Sequence, residues 1–155
     1  PIRFNLGVLF WTPVIFILMG LTADAVTSLS GGYNYFTTEI FQYIKPLSIF
    51  DKFAALAPMA ILYGLLNGFY EEFCFLGLLT CVEDKYKWQA LAYSTLVRVS
   101  FHTYQGMLWA TVIGVVFGLM YYFFYKYKVK NLLPFFLIHA LADIFGSGFI
   151  YLICA

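Results

Sequence analysis

Six ionisable side chains lie within long apolar stretches of this 155-residue sequence, where a lipid environment would exclude them. They comprise two adjacent glutamates, an arginine, two histidines and an aspartate: Glu71, Glu72, Arg98, His102, His139 and Asp143. Ionisable groups within membrane spans are costly and are functional-site candidates by default. Because carboxylate and imidazole groups can accept and return protons, the chemistry that this set could support is general acid–base catalysis.

The spacing of these residues assigns them to defined helix faces. Arg98 and His102 are four residues apart, and so are His139 and Asp143, so each pair lies on one face of its helix. The two adjacent glutamates are about 100° apart around a helix. We therefore expect one glutamate to face the reacting groups and the other to face a supporting partner.

Helix rise gives the same residues similar depths. Counted from the charged loops at about 1.5 Å per residue, they fall within a band about 10 Å thick near mid-membrane. Polar groups at this depth can also be interhelical contacts of about 1 kcal/mol each. That structural interpretation suits Asn67 and Gln105, which we expect to form helix–helix hydrogen bonds. Two adjacent glutamates and two histidines indicate more than packing.

Composition defines the elements that must position these residues. Charged residues make up 11% of the chain and hydrophobic residues 63%, whereas roughly a quarter of a soluble domain is charged. These values exclude a soluble globular domain, a disordered chain and a nucleic-acid-binding protein. Residue 1 is a proline, so we expect the sequence to be part of a longer membrane protein.

Five apolar stretches of about the length of a membrane span predict five transmembrane helices. They cover residues 4–23, 53–82, 88–104, 107–125 and 132–155. The segment 22–52 is more polar, and we expect a connection outside the membrane core, with a short interfacial helix over 37–44. The predicted fold is therefore all-α: one polytopic membrane domain, residues 1–155, whose helices enclose a polar intramembrane cavity.

Three short motifs lie on separate apolar stretches of the chain. The first begins at Glu71-Glu72, the second surrounds His102, and the third is His139-x-x-x-Asp143. In type and order they resemble the motifs Glu-Glu-x-x-x-Arg, Phe-x-x-x-His and His-x-x-x-Asn or Asp of the CAAX protease and bacteriocin-processing family of intramembrane glutamate proteases. The resemblance covers about residues 53–149, which would form the catalytic-type core.

The resemblance implies an intramembrane endopeptidase that needs no metal or other cofactor. Glu71 and His102 would hold and deprotonate a water that attacks a peptide carbonyl. His139 and Asp143 would stabilise the oxyanion, or the aspartate would orient the histidine. Glu72 would be a supporting residue.

The resemblance also implies a substrate class and a location. The substrate would be a leader, signal or prenylated peptide, that is, a peptide or lipopeptide within the lipid bilayer. The run Tyr104-Gln105-Gly106 is similar to the bacterial branch, which includes bacteriocin-processing and self-immunity proteins, so we expect a bacterial plasma membrane. A membrane protein is a further candidate partner, and nucleic acid is not.

Two positions depart from the family pattern. Leu76 stands where the family has arginine, four residues after Glu72, and Arg98 stands where it has phenylalanine, four residues before His102. A buried charge without a partner is strongly unfavourable. We therefore hypothesise that Arg98 pairs with Glu72 from the neighbouring helix, with the two groups within about 6 Å of each other.

Three other functions are compatible with these residues. The leucine at position 76 could mark a non-catalytic member that acts as a membrane immunity or regulatory partner. His102, His139 and a carboxylate could form a three-ligand zinc site, although the sequence has no His-Glu-x-x-His motif. A proton-coupled carrier could use the same groups, but the sequence shows no internal repeat.

Overall fold

The computed structural model describes residues 1–31, 54 and 56–154, and these residues form helices and turns without a β-strand. The helices are α1 (Leu6–Leu29), α2 (Pro58–Cys81), α3 (Lys87–Phe101), α4 (Met107–Val129), α5 (Leu133–Phe145) and the short α6 (Phe149–Cys154). The prediction of an all-α fold is confirmed. The predicted interfacial helix over 37–44 lies outside the described residues.

The first five helices lie where the five apolar stretches predict them, but they differ in length. α1 and α4 are long and apolar enough to cross a membrane. α2 and the segment Asp84–Phe101 meet at a bend of 117° and qualify together as one broken span. α5 has 13 residues, which give about 20 Å of rise against a hydrocarbon core of about 30 Å. Within the described ranges, length and composition therefore support two or three spans rather than five.

α1 continues through residues that we expected to lie in a loop. The apolar stretch ends at residue 23, whereas the helix ends at Leu29. Hydroxyl groups just before and within this extension donate to carbonyls four residues earlier, which satisfies polar side chains within the helix. They belong to Thr22, Thr27 and Ser28. Asp24 is buried, and its Oδ2 accepts from the Ile150 N–H at 2.7 Å. The predicted end of the first helix is therefore too early.

The last apolar stretch forms two helices rather than one continuous span. Gly146 has a φ of 88°, a backbone conformation that favours glycine. Its N–H ends α5 by donating to the Ala142 carbonyl at 2.8 Å. α6 then packs against α1, where a Cβ on Gly20 would lie 2.8 Å from the Phe149 nitrogen. The chain therefore turns at Gly146 and returns to α1.

α2 and α5 pack closely through two glycines of α2. A Cβ on Gly68 would lie 2.8 Å from the Phe136 carbonyl oxygen, and one on Gly64 would lie 3.2 Å from the Ala140 carbonyl oxygen. The Gly-x-x-x-Gly spacing lets helix backbones in membranes approach each other. Because the glutamate pair follows within one turn of Gly68, this contact brings both carboxylates to α5.

α3 and α4 pack through a second glycine pair with the same spacing. A Cβ on Gly114 would lie 2.8 Å from the Val99 nitrogen, and one on Gly118 would lie 3.6 Å from Arg98 Cδ. The absence of side chains at both glycines lets α4 approach the backbone of α3. This contact holds Arg98 between α4 and α2.

The second half of α2 winds more widely than an α-helix. Residues Phe73–Leu78 are π-helical, and the hydroxyl of Ser94 in α3 donates to the Phe75 carbonyl at 2.9 Å. π-Helical turns are frequent at functional sites. Here the wide turn directly follows the glutamate pair, and it holds the Phe75 ring 4.9 Å from the Arg98 guanidinium carbon.

Candidate active site

Glu72 lies at the centre of a buried network with two donors. Arg98 Nη2 donates to Glu72 Oε2 at 2.9 Å, and His139 Nδ1 lies 2.8 Å from Glu72 Oε1. The Glu72 and Arg98 side chains are 0% and 5% exposed. A carboxylate that is paired with arginine only accepts hydrogen bonds, so Nδ1 is the nitrogen of His139 that carries the proton. The contact that we hypothesised between Arg98 and Glu72 is present.

Arg98 reaches Glu72 from α3 through an aromatic enclosure. Its guanidinium carbon lies 4.9 Å from the centre of the Phe75 ring and 5.9 Å from that of Tyr121. Cations over aromatic faces gain electrostatic stabilisation that increases when water is excluded. Leu76 is buried in the apolar core. The chain therefore supplies the cation for Glu72 from a different helix than the family pattern does.

Glu71 has the opposite environment. Its side chain is 8% exposed, yet Oε2 accepts no hydrogen bond within the described residues. The nearest groups are two imidazole nitrogens, His102 Nε2 at 3.6 Å and His139 Nε2 at 3.8 Å. These separations exceed a direct hydrogen bond and fall in the range where a water can bridge two groups.

Both histidines present the same nitrogen to Glu71. His102 Nδ1 lies 2.8 Å from the Arg98 carbonyl oxygen. Because a carbonyl only accepts, Nδ1 donates here, as it does in His139. In each neutral ring Nε2 therefore keeps its lone pair. With both rings neutral, the two Nε2 atoms and Glu71 Oε2 are all hydrogen-bond acceptors, and protonation of His139 turns its Nε2 into a donor.

Asp143 lies one turn after His139 on α5 and joins the network at its edge. Its Oδ1 is 3.8 Å from His139 Nε2, and its Oδ2 accepts from Asn67 Nδ2 of α2 at 2.9 Å. The predicted helix–helix hydrogen bond of Asn67 is confirmed. The one predicted for Gln105 is wrong, because the amide of Gln105 donates to the adjacent Tyr104 hydroxyl at 2.8 Å.

These residues border a cavity of about 310 Å³, within the size range of small-ligand sites. The polar residues of its lining, termed the polar wall, are Glu72, Arg98, His102, Gln105, His139, Asp143 and Ser147. The rest of the lining is largely apolar and includes Met19, Ile113, Phe117, Tyr121 and Ala142. Glu71 does not line the cavity, and its Oε2 approaches the two histidines that do. The structure thus gathers all six candidates at one site.

Several residues of the cavity lining were not predicted from the sequence, among them Met19 and Tyr121. Tyr121 is 3% exposed, and its hydroxyl donates to Met19 Sδ at 3.3 Å. A sequence signal for Tyr121 does exist, because it follows Gly118 by three residues and Gly114 by seven. These spacings are typical of one helix face, and the glycines mark the face that approaches α3. Met19 carries no comparable signal.

The side chains of the site do not form a metal-binding set. In the part of the chain that the structure describes, no group of three or more His, Cys, Asp or Glu side chains is arranged to hold a metal ion.

Comparison with known proteins gives one match and two negative results. The family model described as type II CAAX prenyl endopeptidase Rce1-like matches residues 53–145, which is more than half of the chain. All six ionisable candidates lie within the matched range, and so do α2, α3, α4 and α5. No curated protein and no solved structure gives a significant match.

Proposed function

Because this chain belongs to the Rce1-like family of type II CAAX prenyl endopeptidases, we propose that it hydrolyses a peptide bond within the membrane by means of a glutamate-activated water. The observation that carries the proposal is the environment of Glu71. Its buried Oε2 accepts no hydrogen bond among the described residues and faces two imidazole Nε2 atoms at 3.6 and 3.8 Å.

The convergence of acceptors on one point supports a specific role for the water. A water there donates one hydrogen to Glu71 Oε2 and the other to His102 Nε2, which leaves an oxygen lone pair directed away from both groups. That lone pair attacks the carbonyl carbon of the substrate. Glu71 takes the proton that the water loses, and the new carbon–oxygen bond gives a tetrahedral intermediate.

Collapse of the intermediate completes the reaction. The carbonyl double bond re-forms, the carbon–nitrogen bond breaks, and the proton held by Glu71 passes to the leaving amine, directly or through His102. The products are a carboxylic acid and an amine. In this mechanism Glu72 does not react, because both of its oxygens accept hydrogen bonds from Arg98 and His139.

The oxyanion of the intermediate requires hydrogen-bond donors. We assign this role to His139, with Asp143 as the group that orients it. Since His139 Nδ1 already donates to Glu72, the ring donates to the oxyanion from Nε2 when both nitrogens carry protons. Asp143 Oδ1 lies 3.8 Å from Nε2, on the side of the ring that borders the cavity.

The substrate that fits this site is a peptide or lipopeptide with apolar side chains next to the scissile bond. The wall that contains Ile113, Phe117 and Ala142 contacts those side chains, and the polar wall acts on the backbone carbonyl. The substrate is a bacteriocin leader, a signal peptide or a prenylated peptide, and the bacterial plasma membrane is the location that we propose for the reaction.

Cleavage of defined peptides tests the mechanism. The full chain in lipid nanodiscs is incubated with two internally quenched peptides, a farnesylated carboxyl-terminal peptide and a hydrophobic leader peptide. Glu71→Gln is expected to lower kcat about 10²- to 10⁴-fold. Glu83→Gln, the same change at an acid whose side chain is 71% exposed, is expected to retain wild-type kcat.

Two results would contradict the proposal. Cleavage by Glu71→Gln at the wild-type rate excludes Glu71 as the base. Failure of the wild type to cleave either peptide, together with an immunity phenotype that Glu71→Gln retains in cells, favours the non-catalytic membrane partner instead.

A further inference from the structure

The ionisable groups that line the cavity offer more hydrogen-bond acceptors than free donors, and the amide of Gln105, which also lines it, donates to the Tyr104 hydroxyl. Glu72 and Asp143 accept hydrogen bonds, and the neutral rings of His102 and His139 both present the Nε2 lone pair. Arg98 is a donor, but it is held on Glu72. A reaction that develops negative charge on a carbonyl oxygen needs a donor aimed at that oxygen. A further neutral donor in the cavity lining would meet this need without a change in protonation.

Tyr121 on α4 is such a donor. Its side chain is buried, it lines the cavity, and its hydroxyl donates to Met19 Sδ of α1 at 3.3 Å. A thioether sulfur is a weak acceptor. The hydroxyl therefore loses little when it exchanges the sulfur for a carbonyl oxygen, and it gains more when that oxygen becomes charged.

The packing of Tyr121 places its ring beside two elements of the site. The ring meets Phe135 edge-on, with 5.2 Å between the ring centres. Phe135 lies four residues before His139, on the same face of α5. A second contact is the Arg98 guanidinium, 5.9 Å from the Tyr121 ring centre. Tyr121 thus contacts both the helix that carries His139 and the cation that is paired with Glu72.

We propose that the Tyr121 hydroxyl is a further catalytic group, which donates a hydrogen bond to the substrate carbonyl oxygen as that oxygen becomes the oxyanion. This inference rests on the proposed peptide-bond hydrolysis. The hydroxyl keeps its proton throughout. Its hydrogen bond shifts from Met19 Sδ to the oxyanion when the water oxygen bonds to carbon, and it returns to the sulfur after the carbon–nitrogen bond has broken.

Three variants test this role with the quenched peptides described above. Tyr121→Phe removes the hydroxyl and keeps the ring that packs on Phe135, so kcat is expected to fall about 10²-fold while KM changes less than about threefold. Tyr122→Phe is the matched control, because Tyr122 is equally buried but does not line the cavity. It is expected to keep wild-type kcat and KM.

Met19→Leu distinguishes a catalytic role of the Tyr121 hydroxyl from a structural one. Leucine has a volume similar to that of methionine but accepts no hydrogen bond. If the hydroxyl acts on the substrate, loss of its competing acceptor is expected to raise kcat about twofold to fivefold. If the bond to sulfur only stabilises the fold, Met19→Leu and Tyr121→Phe lower kcat alike. This variant also decides the question if Tyr121→Phe does not fold.

The outcomes distinguish the two proposals. If the wild type cleaves, Glu71→Gln does not, and Tyr121→Phe matches Tyr122→Phe, the role of Tyr121 is overturned while glutamate-dependent hydrolysis stands. If the wild type cleaves neither peptide, hydrolysis fails and the assignment of Tyr121 fails with it. A loss of kcat confined to Tyr121→Phe, with a gain in Met19→Leu, supports both.

Discussion

Glu71 and Glu72 are adjacent residues of the same type on α2, and the two regions around them are opposite in character. The Glu72 region is saturated, because one carboxylate oxygen accepts from Arg98 and the other from His139. The Glu71 region is not, because among the described residues Oε2 accepts no hydrogen bond and faces the Nε2 atoms of two histidines. A rotation of about 100° between neighbouring residues gives the two carboxylates these different environments. In the proposed mechanism Glu72 is structural and Glu71 reacts.

Two residues, Arg98 and His139, contact both regions. The side chain of Arg98 neutralises Glu72, while its backbone carbonyl accepts from His102 Nδ1 and so turns His102 Nε2 toward Glu71. His139 is shared in the same way, with Nδ1 on Glu72 and Nε2 facing Glu71. The saturated region therefore sets the tautomers and orientations of the groups around the reactive carboxylate.

The largest expected effect comes from removing the cation of the saturated region. Arg98→Leu leaves Glu72 buried without its ion-pair partner, so the free energy of unfolding is expected to fall by about 3–5 kcal/mol. Denaturant titration of the detergent-solubilised protein measures it. Arg3→Leu, at an exposed arginine near the chain start, is the control and is expected to have no comparable effect. Equal losses in the two variants would remove the distinction between the two regions.

A second variant restores the cation from the helix that the family pattern uses. Leu76→Arg in an Arg98→Phe background returns an arginine to the position four residues after Glu72 on α2. It is expected to recover more than half of the stability that Arg98→Phe alone loses, because either site presents a guanidinium to the same buried carboxylate. Further destabilisation by the added arginine would show that the two positions are not equivalent.

A smaller effect is expected at the contact that brings both glutamates to α5. In Gly68→Ala the new methyl group would lie 2.8 Å from the Phe136 carbonyl oxygen and 3.0 Å from the Ala140 nitrogen. Separation of the helices is expected to cost about 1–3 kcal/mol of unfolding free energy. Gly118→Ala meets its nearest atom at 3.6 Å and is expected to be neutral or slightly stabilising. A larger loss of unfolding free energy in Gly118→Ala than in Gly68→Ala would contradict the close packing of α2 on α5.

The smallest effect is expected at the edge of the Glu71 region, where Asn67 contacts Asp143. Asn67→Ala removes the donor to Asp143 Oδ2, at an expected cost of about 1 kcal/mol in unfolding free energy. Asn67→Asp has nearly the same shape but opposes one carboxylate to another, so it is expected to be the more destabilising variant. If the two variants behave alike, the hydrogen bond to Asp143 contributes little.

The membrane fold follows from the sequence to the extent that apolar length determines it. Each of the five stretches overlaps one of the first five helices, because a charged residue is costly in lipid. The residues at which the helices end were harder to predict. Thr22, Thr27 and Ser28 remain helical by donating to the preceding turn, and Gly146 interrupts a stretch that is apolar throughout. Both outcomes depend on local hydrogen bonding and tertiary contacts rather than on hydropathy.

The candidate site was predictable where a buried charge demanded a partner. The pairing of Arg98 with Glu72 follows from that requirement, because an arginine between apolar residues has few other acidic groups to pair with. The position of Tyr121 at the cavity was not predictable, because an aromatic residue on an apolar helix usually only packs against its neighbours. Its position on the cavity depends on how α4 packs against α3 and α5. Asp24, which is buried and accepts from the Ile150 N–H of α6, was not predicted as a helical residue, because it follows the end of the apolar stretch.

The most direct test of the contrast between the two glutamates is to measure Glu71→Gln and Glu72→Gln side by side, for unfolding free energy and for peptide cleavage. We predict that Glu72→Gln loses at least about 2 kcal/mol more stability than Glu71→Gln, because only the former leaves Arg98 unpaired. Glu71→Gln should stay folded and lose cleavage. Equal destabilisation of the two variants, or cleavage that survives in Glu71→Gln, would contradict the assignment of Glu71 to chemistry and Glu72 to structure.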